Sequence, residues 1–173
     1  FHQSLYNPTH MKIKEIIKSG KLGDVFQINM KYSGFARRWD WQTLQACCAG
    51  GVYNTGPHPI GQALDLVDWS DVTVAFSSLN RILTSGDSDD YAKIILQTSE
   101  KTVIDIEVNS ADAYANDYNF KIFGSKGTLI AKDGKYEMKY IEDFSAYPER
   151  PVMKRFISKE DGSPAYCSEK LQF

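Results

Sequence analysis

The chain predicts an α+β fold, a mostly antiparallel β-sheet with helices on one face. Two segments with apolar residues at three and four spacing fall before Asp71, and alternating apolar and polar segments then follow one another across short turns from Val72 to Tyr140. No strand, helix, strand repeat separates them, as an all-parallel sheet would need. At 173 residues the chain suits a single domain that buries its core without metals or disulfides, although the tail 141–173 carries no motif.

Taken in order, Phe1 to Tyr6 reads as extended. Asn7 then caps a helix with Pro8 at its first position, flanked by Tyr6 and Met11 at hydrophobic-staple spacing. Ile13, Ile16 and Ile17 form its buried stripe, Lys18 suits the negative end of the dipole, and Gly20 stops it. Val25 to Tyr32 alternates strictly, with Phe26, Ile28, Met30 and Tyr32 on one face, and is expected as the first strand of an antiparallel sheet. In the loop after it, Arg37, Arg38, Trp39 and Trp41 set cations beside aromatic faces, a mixture that suits a polyol or sugar and equally ordinary packing. Asp40 is expected to cap a short helix through Cys48, with Cys47 and Cys48 as small buried residues.

Gly50-Gly51-Val52-Tyr53-Asn54-Thr55-Gly56-Pro57-His58 leads into a second helix. Pro57 suits its first position, and Ile60, Ala63, Leu64 and Val67 turn one face to the core. His58 thus falls in the first turn, where unpaired amides and the positive end of the dipole disfavour a second proton on the ring. A neutral imidazole can act as a general base, and Asn54 can orient a hydroxyl beside it. The plainer reading is that Asn54 makes turn hydrogen bonds and His58 is a satisfied first-turn histidine.

Val72, Val74 and Phe76 mark the next strand, and Ser85 to Asp90 is an acidic turn without the later ligands of an EF-hand. Tyr91 to Gln97 and Thr102 to Val108 form a hairpin, followed by a polar connection from Asn109 to Asn119. Phe120 to Phe123 pairs with Thr128 to Ala131, and Asp133-Gly134 turns the chain into Tyr136, Met138 and Tyr140.

Composition excludes several function classes. Hydrophobic residues make up 42% and charged ones 24%, and a net charge of -2 with dispersed lysines and arginines argues against a nucleic-acid partner. No apolar run approaches the roughly 20 residues needed to cross a bilayer, and no signal peptide is seen. Cys47, Cys48 and Cys167, an odd number, read as reduced thiols in the cytoplasm. Histidines at 2, 10 and 58 give no metal-ligand spacing.

Three stretches carry a family resemblance: Gly51 to His58, Ser19-Gly20-Lys21-Leu22-Gly23-Asp24-Val25, and Phe123-Gly124-Ser125-Lys126-Gly127-Thr128-Leu129. In order and spacing they resemble the C-terminal domain of Gfo/Idh/MocA oxidoreductases, over about Tyr6 to Lys132. The family pattern is Asp-x-Gly-x-His at the helix start. Asn54 stands at the aspartate position, and Gly61 stands where an acidic residue often follows the histidine.

The resemblance implies a dihydrodipicolinate-reductase-like C-terminal domain, for substrate binding and oligomerisation, of an NAD(P)-dependent oxidoreductase acting on a sugar, inositol or related polyol. NAD or NADP is then bound by a separate N-terminal Rossmann domain that also carries a catalytic lysine in a Glu-Lys-Pro motif. This chain has neither that motif nor a Gly-x-Gly-x-x-Gly turn, so it reads as a fragment, inactive alone. The resemblance further implies His58 as proton acceptor, Asn54 as its partner, and a substrate pocket drawn from Arg37, Arg38, Trp39, Tyr6, Gln3 and His2, although the three N-terminal residues equally suit a mere tether. It implies a homodimer through the open sheet face. The alternative is a non-catalytic relative that binds a sugar or a protein partner, favoured by Asn54 and Gly61.

Overall fold

The computed structural model describes residues 2–114, 117–148 and 158–173. Phe1, at the start of the stretch read as extended, Ala115 and Asn116 of the polar connection, and tail residues 149–157 lie outside the described residues. The chain forms two compact units, Phe1–Tyr140 and Ile141–Phe173. Among its described residues the second holds one 3₁₀ turn, Phe144–Ala146, capped by the Asp143 carboxylate, and an isolated bridge between Ser158 and Pro164.

The first unit opens with a 3₁₀ turn, Gln3–Tyr6, where the sequence suggested extended chain; Leu5 donates to the His2 carbonyl at 3.1 Å and Asn7 to the Ser4 carbonyl at 3.2 Å. Helix α1, Pro8–Lys18, begins as its cap requires, with the Asn7 side chain accepting from Thr9 and His10 amides. Ile13 and Ile16 are buried and Ile17 packs against the core. The expected staple is not a buried one, because Tyr6 and Met11 are both exposed.

Strand β1, Val25–Ser33, buries Ile28 and Met30. Phe26 departs from the expected face and is exposed, because the pairing register shifts between Val25 and Gln27 and a bulge re-aims that side chain. The segment from Asp40 to Cys48 is not one helix. It makes two 3₁₀ turns, Trp41–Thr43 capped by Asp40 and Gln45–Cys47, and Cys48 then takes a left-handed conformation at φ 52° that ends any helical run. Cys47 and Cys48 are consequently exposed rather than buried, and they and Cys167 are free thiols.

Two helices follow, α2 (Gly51–Asn54) and α3 (Pro57–Leu66). Ala63 is fully buried and Ile60, Leu64 and Val67 are partly so, as the spacing predicts; Pro59, Gly61, Gln62 and Leu66 are buried as well. The remaining strands are β2 (Val72–Asn80), β3 (Tyr91–Thr98), β4 (Val103–Asn109), β5 (Phe120–Gly124), β6 (Gly127–Lys132) and β7 (Lys135–Tyr140).

Among the described residues these form one sheet in the order β2-β3-β4-β1-β5-β6-β7. Strand β1 is therefore central rather than the start of an antiparallel run. It lies parallel to β4, because α2, α3, β2 and β3 intervene before the chain returns beside it; the other pairings are antiparallel. Helices α1 and α3 cover one face. Ile13, Ile16, Ala63 and Leu66 meet Ile28, Met30, Ile104, Ile106, Ile122 and Leu129 in a single apolar cluster. Strand β2 is an edge, which leaves Val74 and Phe76 exposed. No helix among the described residues is long and apolar enough to cross a membrane.

Two contacts fix the helices on this sheet. His10 Nε2 meets Asp65 Oδ2 at 2.8 Å and Lys14 Nζ meets Asp65 Oδ1 at 2.6 Å, so one carboxylate near the end of α3 holds α1. At the far end of the sheet the two glycine turns quoted above dock together, with Asp24 donating to Ser125 Oγ at 2.9 Å and Lys126 to the Leu22 carbonyl at 2.8 Å. A side chain at Gly124 would strike that Leu22 carbonyl, which explains glycine there.

Candidate functional site

The site is built around the break between α2 and α3. Gly50, at φ 138°, turns the chain into α2, and a Cβ there would collide with the Asp89 carboxylate. Asp89 instead serves the helix start from across the fold: its Oδ2 accepts from the Val52 amide at 2.9 Å and its carbonyl from Gly51 at 2.7 Å. These are donors that a helix leaves without internal partners.

At the start of α3 the expected free amides are absent. Pro57 and Pro59 have no N–H, His58 donates its amide to the Thr55 carbonyl at 3.1 Å, and Ile60 donates to Gly56 at 3.0 Å. What remains at His58 is the positive end of the helix dipole and its ring contacts. Ring Nδ1 lies 3.2 Å from Ser4 Oγ, and the His2 ring centroid is 6.4 Å away.

Beside this start lies a cleft of about 280 Å³ lined by Arg38, Gln42, Asn54, Thr55, Thr84, Asp89, Asp90 and Ser110, with Ala36, Thr43 and Gly51. Asn54 donates its side-chain amide to the Gln42 carbonyl at 3.0 Å, leaving its own carbonyl oxygen as acceptor. The Arg38 Nε lies 3.4 Å from Asp40 Oδ2. Asp90 is buried, and its carboxylate accepts from three backbone amides, Ile82 at 2.6 Å and Leu83 and Thr84 at 2.7 Å each. That grip holds Thr84 as a wall of the cleft.

The residues predicted from sequence fall into separate groups. Asn54 and Arg38 line the cleft together. His58 stands outside it, joined through the Thr55 carbonyl, and turns to Ser4. Asn54 and His58 thus keep different partners, because α2 ends at Asn54 and a new helix begins at Pro57, so their four-residue spacing does not share one helical face. Arg37 reaches Ser85 Oγ at 3.3 Å, Gln3 is exposed on the N-terminal turn, and Tyr6 and Trp39 project into solvent at 79% and 80% exposure. Asp89, Asp90, Thr84, Gln42 and Ser110 of the cleft, and Ser4 beside His58, carry no site signal in the sequence beyond the acidic turn. The role of that turn depends on contacts 6 to 8 residues back and 37 back. Among the described residues no group of three acidic, histidine or cysteine side chains is arranged to hold a metal ion.

No match is found among curated proteins. Solved structures share the fold. An NAD-binding protein from Listeria innocua superposes with a TM-score of 0.73 at 24% identity, over 80% of this chain and 40% of its own. A levoglucosan dehydrogenase, solved with NADH and levoglucosan, gives 0.71 at 16% identity over 84% and 43%. The WlbA dehydrogenase from Bordetella pertussis, in complex with NADH and UDP-GlcNAcA, gives 0.67 at 18% over 83% and 47%. The chain thus spans less than half the length of each of these. Residues 10–130 match the GFO/IDH/MocA C-terminal domain model, and the chain belongs to that family.

Proposed function

We propose that this chain is the substrate-binding domain of an NAD(P)-dependent oxidoreductase acting on a sugar, inositol or related polyol, with the cleft at Asn54 as its substrate pocket. The observation that carries this reading is the polar lining of that cleft, directly beside the His58 helix start, in a chain of this family. Hydroxyls of Thr55, Thr84 and Ser110, the Arg38 guanidinium and the Asn54 carbonyl oxygen offer the donors and acceptors that a polyol needs. Two proteins of the same fold, WlbA and levoglucosan dehydrogenase, were solved in complex with UDP-GlcNAcA and levoglucosan, which supports the substrate class.

Hydride acceptance lies outside these residues. Among the described residues no glycine-rich turn joins a strand to a helix to cradle a dinucleotide, so NAD or NADP would be held by a separate domain closing over the cleft. The chain's own residues handle the substrate: Asn54 orients a hydroxyl in the cleft through its carbonyl oxygen, and His58, outside the lining on the next helix, accepts a proton from substrate that extends past Thr55. Homodimerisation through the open sheet face is part of the proposal. Ile95, Val103, Phe123 and Ile130 alternate with core residues and so point away from the helices, and Phe76 joins them by pairing with Ile95 after the register shift between Val74 and Phe76.

In the whole protein, His58→Ala lowers kcat by roughly 100-fold or more, the scale of a lost general base, while folding and cofactor affinity persist. Asn54→Ala does less, and Asn54→Asp keeps or raises activity and shifts the pH profile. Near-parental turnover by His58→Ala across about pH 6 to 9 refutes the assignment. A second reading, a relative that binds a sugar or protein without turnover, is favoured by one observation: among the described residues no carboxylate pairs with His58. That reading predicts polyol binding by the whole protein with no cofactor reduction.

A further inference from the structure

We infer that Ser4 is the positioning residue of His58, its hydroxyl accepting from Nδ1–H so that Nε2 is the basic nitrogen. The inference rests on the proposed role of His58 as a base. A neutral imidazole has one donor and one acceptor nitrogen, and the hydrogen bond made by one fixes the character of the other. Nδ1 is directed to Ser4 Oγ at 3.2 Å, so the nitrogen left for a substrate proton is Nε2, which must then carry the lone pair.

Ser4 is placed for this by bonds that do not involve its hydroxyl. Gln62, one turn after His58 on α3, donates its amide to the Ser4 carbonyl at 2.9 Å, and the same carbonyl accepts from Asn7 at 3.2 Å. The Gln62 side chain is itself oriented from the sheet, since Tyr32 donates its hydroxyl to Gln62 Oε1 at 2.8 Å and Gln62 is 2% exposed. Burial pushes the Tyr32 phenol up, which keeps it a donor. A continuous path thus runs from β1 through Gln62 to the Ser4 backbone, and the Ser4 side chain meets His58.

The space around the ring leaves this task to Ser4. A Cβ at Gly61 would lie 2.7 Å from His2 Nδ1, so the His2 imidazole fills the place of any side chain at 61. Among the described residues the recorded hydrogen-bond partner of the His58 ring is this neutral hydroxyl.

The test is direct observation of the tautomer. Long-range proton–nitrogen NMR spectra of the ¹⁵N-labelled chain, at about pH 8 where imidazoles are largely neutral, distinguish protonated from bare ring nitrogens, and His58→Ala identifies the His58 signals. The expected parent spectrum has a protonated Nδ1 and a bare Nε2. Ser4→Ala moves the ring to a mixture that includes protonated Nε2, whereas Ser4→Thr, which keeps the hydroxyl, restores the parent pattern. Protonated Nε2 in the parent, or a tautomer that Ser4→Ala leaves unchanged, overturns the inference; the parent measurement needs no variant to fold. Activity separates this from the functional reading. Full turnover by His58→Ala in the whole protein removes the base while a Ser4-dependent tautomer still stands, and an unchanged tautomer in Ser4→Ala removes Ser4 while the base still stands.

Discussion

Asp90→Ala is expected to be among the most destabilising single changes near the cleft. The parent carboxylate accepts from the amides of Ile82, Leu83 and Thr84 at 2.6 to 2.7 Å, and the residue is only 7% exposed. Truncation leaves three donors without their acceptor, each costing about 1–3 kcal/mol if it stays dry. Ile82 is 56% exposed, so its amide rehydrates most easily, and the total settles at about 3–5 kcal/mol. For a chain of this length that corresponds to a fall in Tm of roughly 6–20 °C. Asp90→Asn keeps the shape and one acceptor oxygen but loses the charge and turns an amide donor toward an N–H; about 2 kcal/mol is expected. Urea unfolding followed by tryptophan fluorescence measures both, and hydrogen exchange at amides 82–84 should accelerate before global unfolding. An Asp90→Ala variant within about 1 kcal/mol of the parent would show that water, not the carboxylate, satisfies this loop.

Three further outcomes follow from particular contacts. Burial raises the Asp65 carboxyl, but hydrogen bonds from Lys14 and His10 outweigh it and hold the group below its ordinary value near 3.8. A depressed folded value stabilises above the unfolded one and is lost as pH falls through the folded one, so Asp65→Asn costs about 1–3 kcal/mol at neutral pH and the gap narrows below about pH 4; a gap that is constant or widens in acid refutes the pairing. Ile95→Glu, on the sheet face away from the helices, converts the proposed dimer to monomer in sedimentation equilibrium, and a parent that is already monomeric well above about 1 μM removes that proposal. Calorimetric titration of this chain with NAD and with NADP gives no binding, and a dissociation constant of about 1 μM would place a cofactor site here after all.

The features legible in the sequence are those set by neighbouring residues. Asn7-Pro8 started α1 as predicted because a cap and a fixed φ act within one turn, and Ile28 and Met30 were readable on one face because strand side chains alternate. The motifs from Ser19 and from Phe123 were visible as glycine turns, although their docking onto each other was not. Asn54 and Arg38, named from sequence as candidates, line one cleft.

Tertiary structure alone decided what these elements touch. The parallel pairing of β1 with β4 joins strands separated by two helices and two strands, and no local pattern encodes that order. Asp89 and Asp90 read from sequence as part of an acidic turn, yet one serves the start of α2 and the other holds the loop beside the cleft, because amides without partners in their own element must find acceptors wherever the fold brings them. Ser4, Gln62 and Tyr32 lie on three elements, and their line of hydrogen bonds to His58 exists only once α3 is laid across the sheet. Backbone conformation follows from adjacent residues, whereas a hydrogen-bond partner is fixed by position in space, and the sheet order supplies that position.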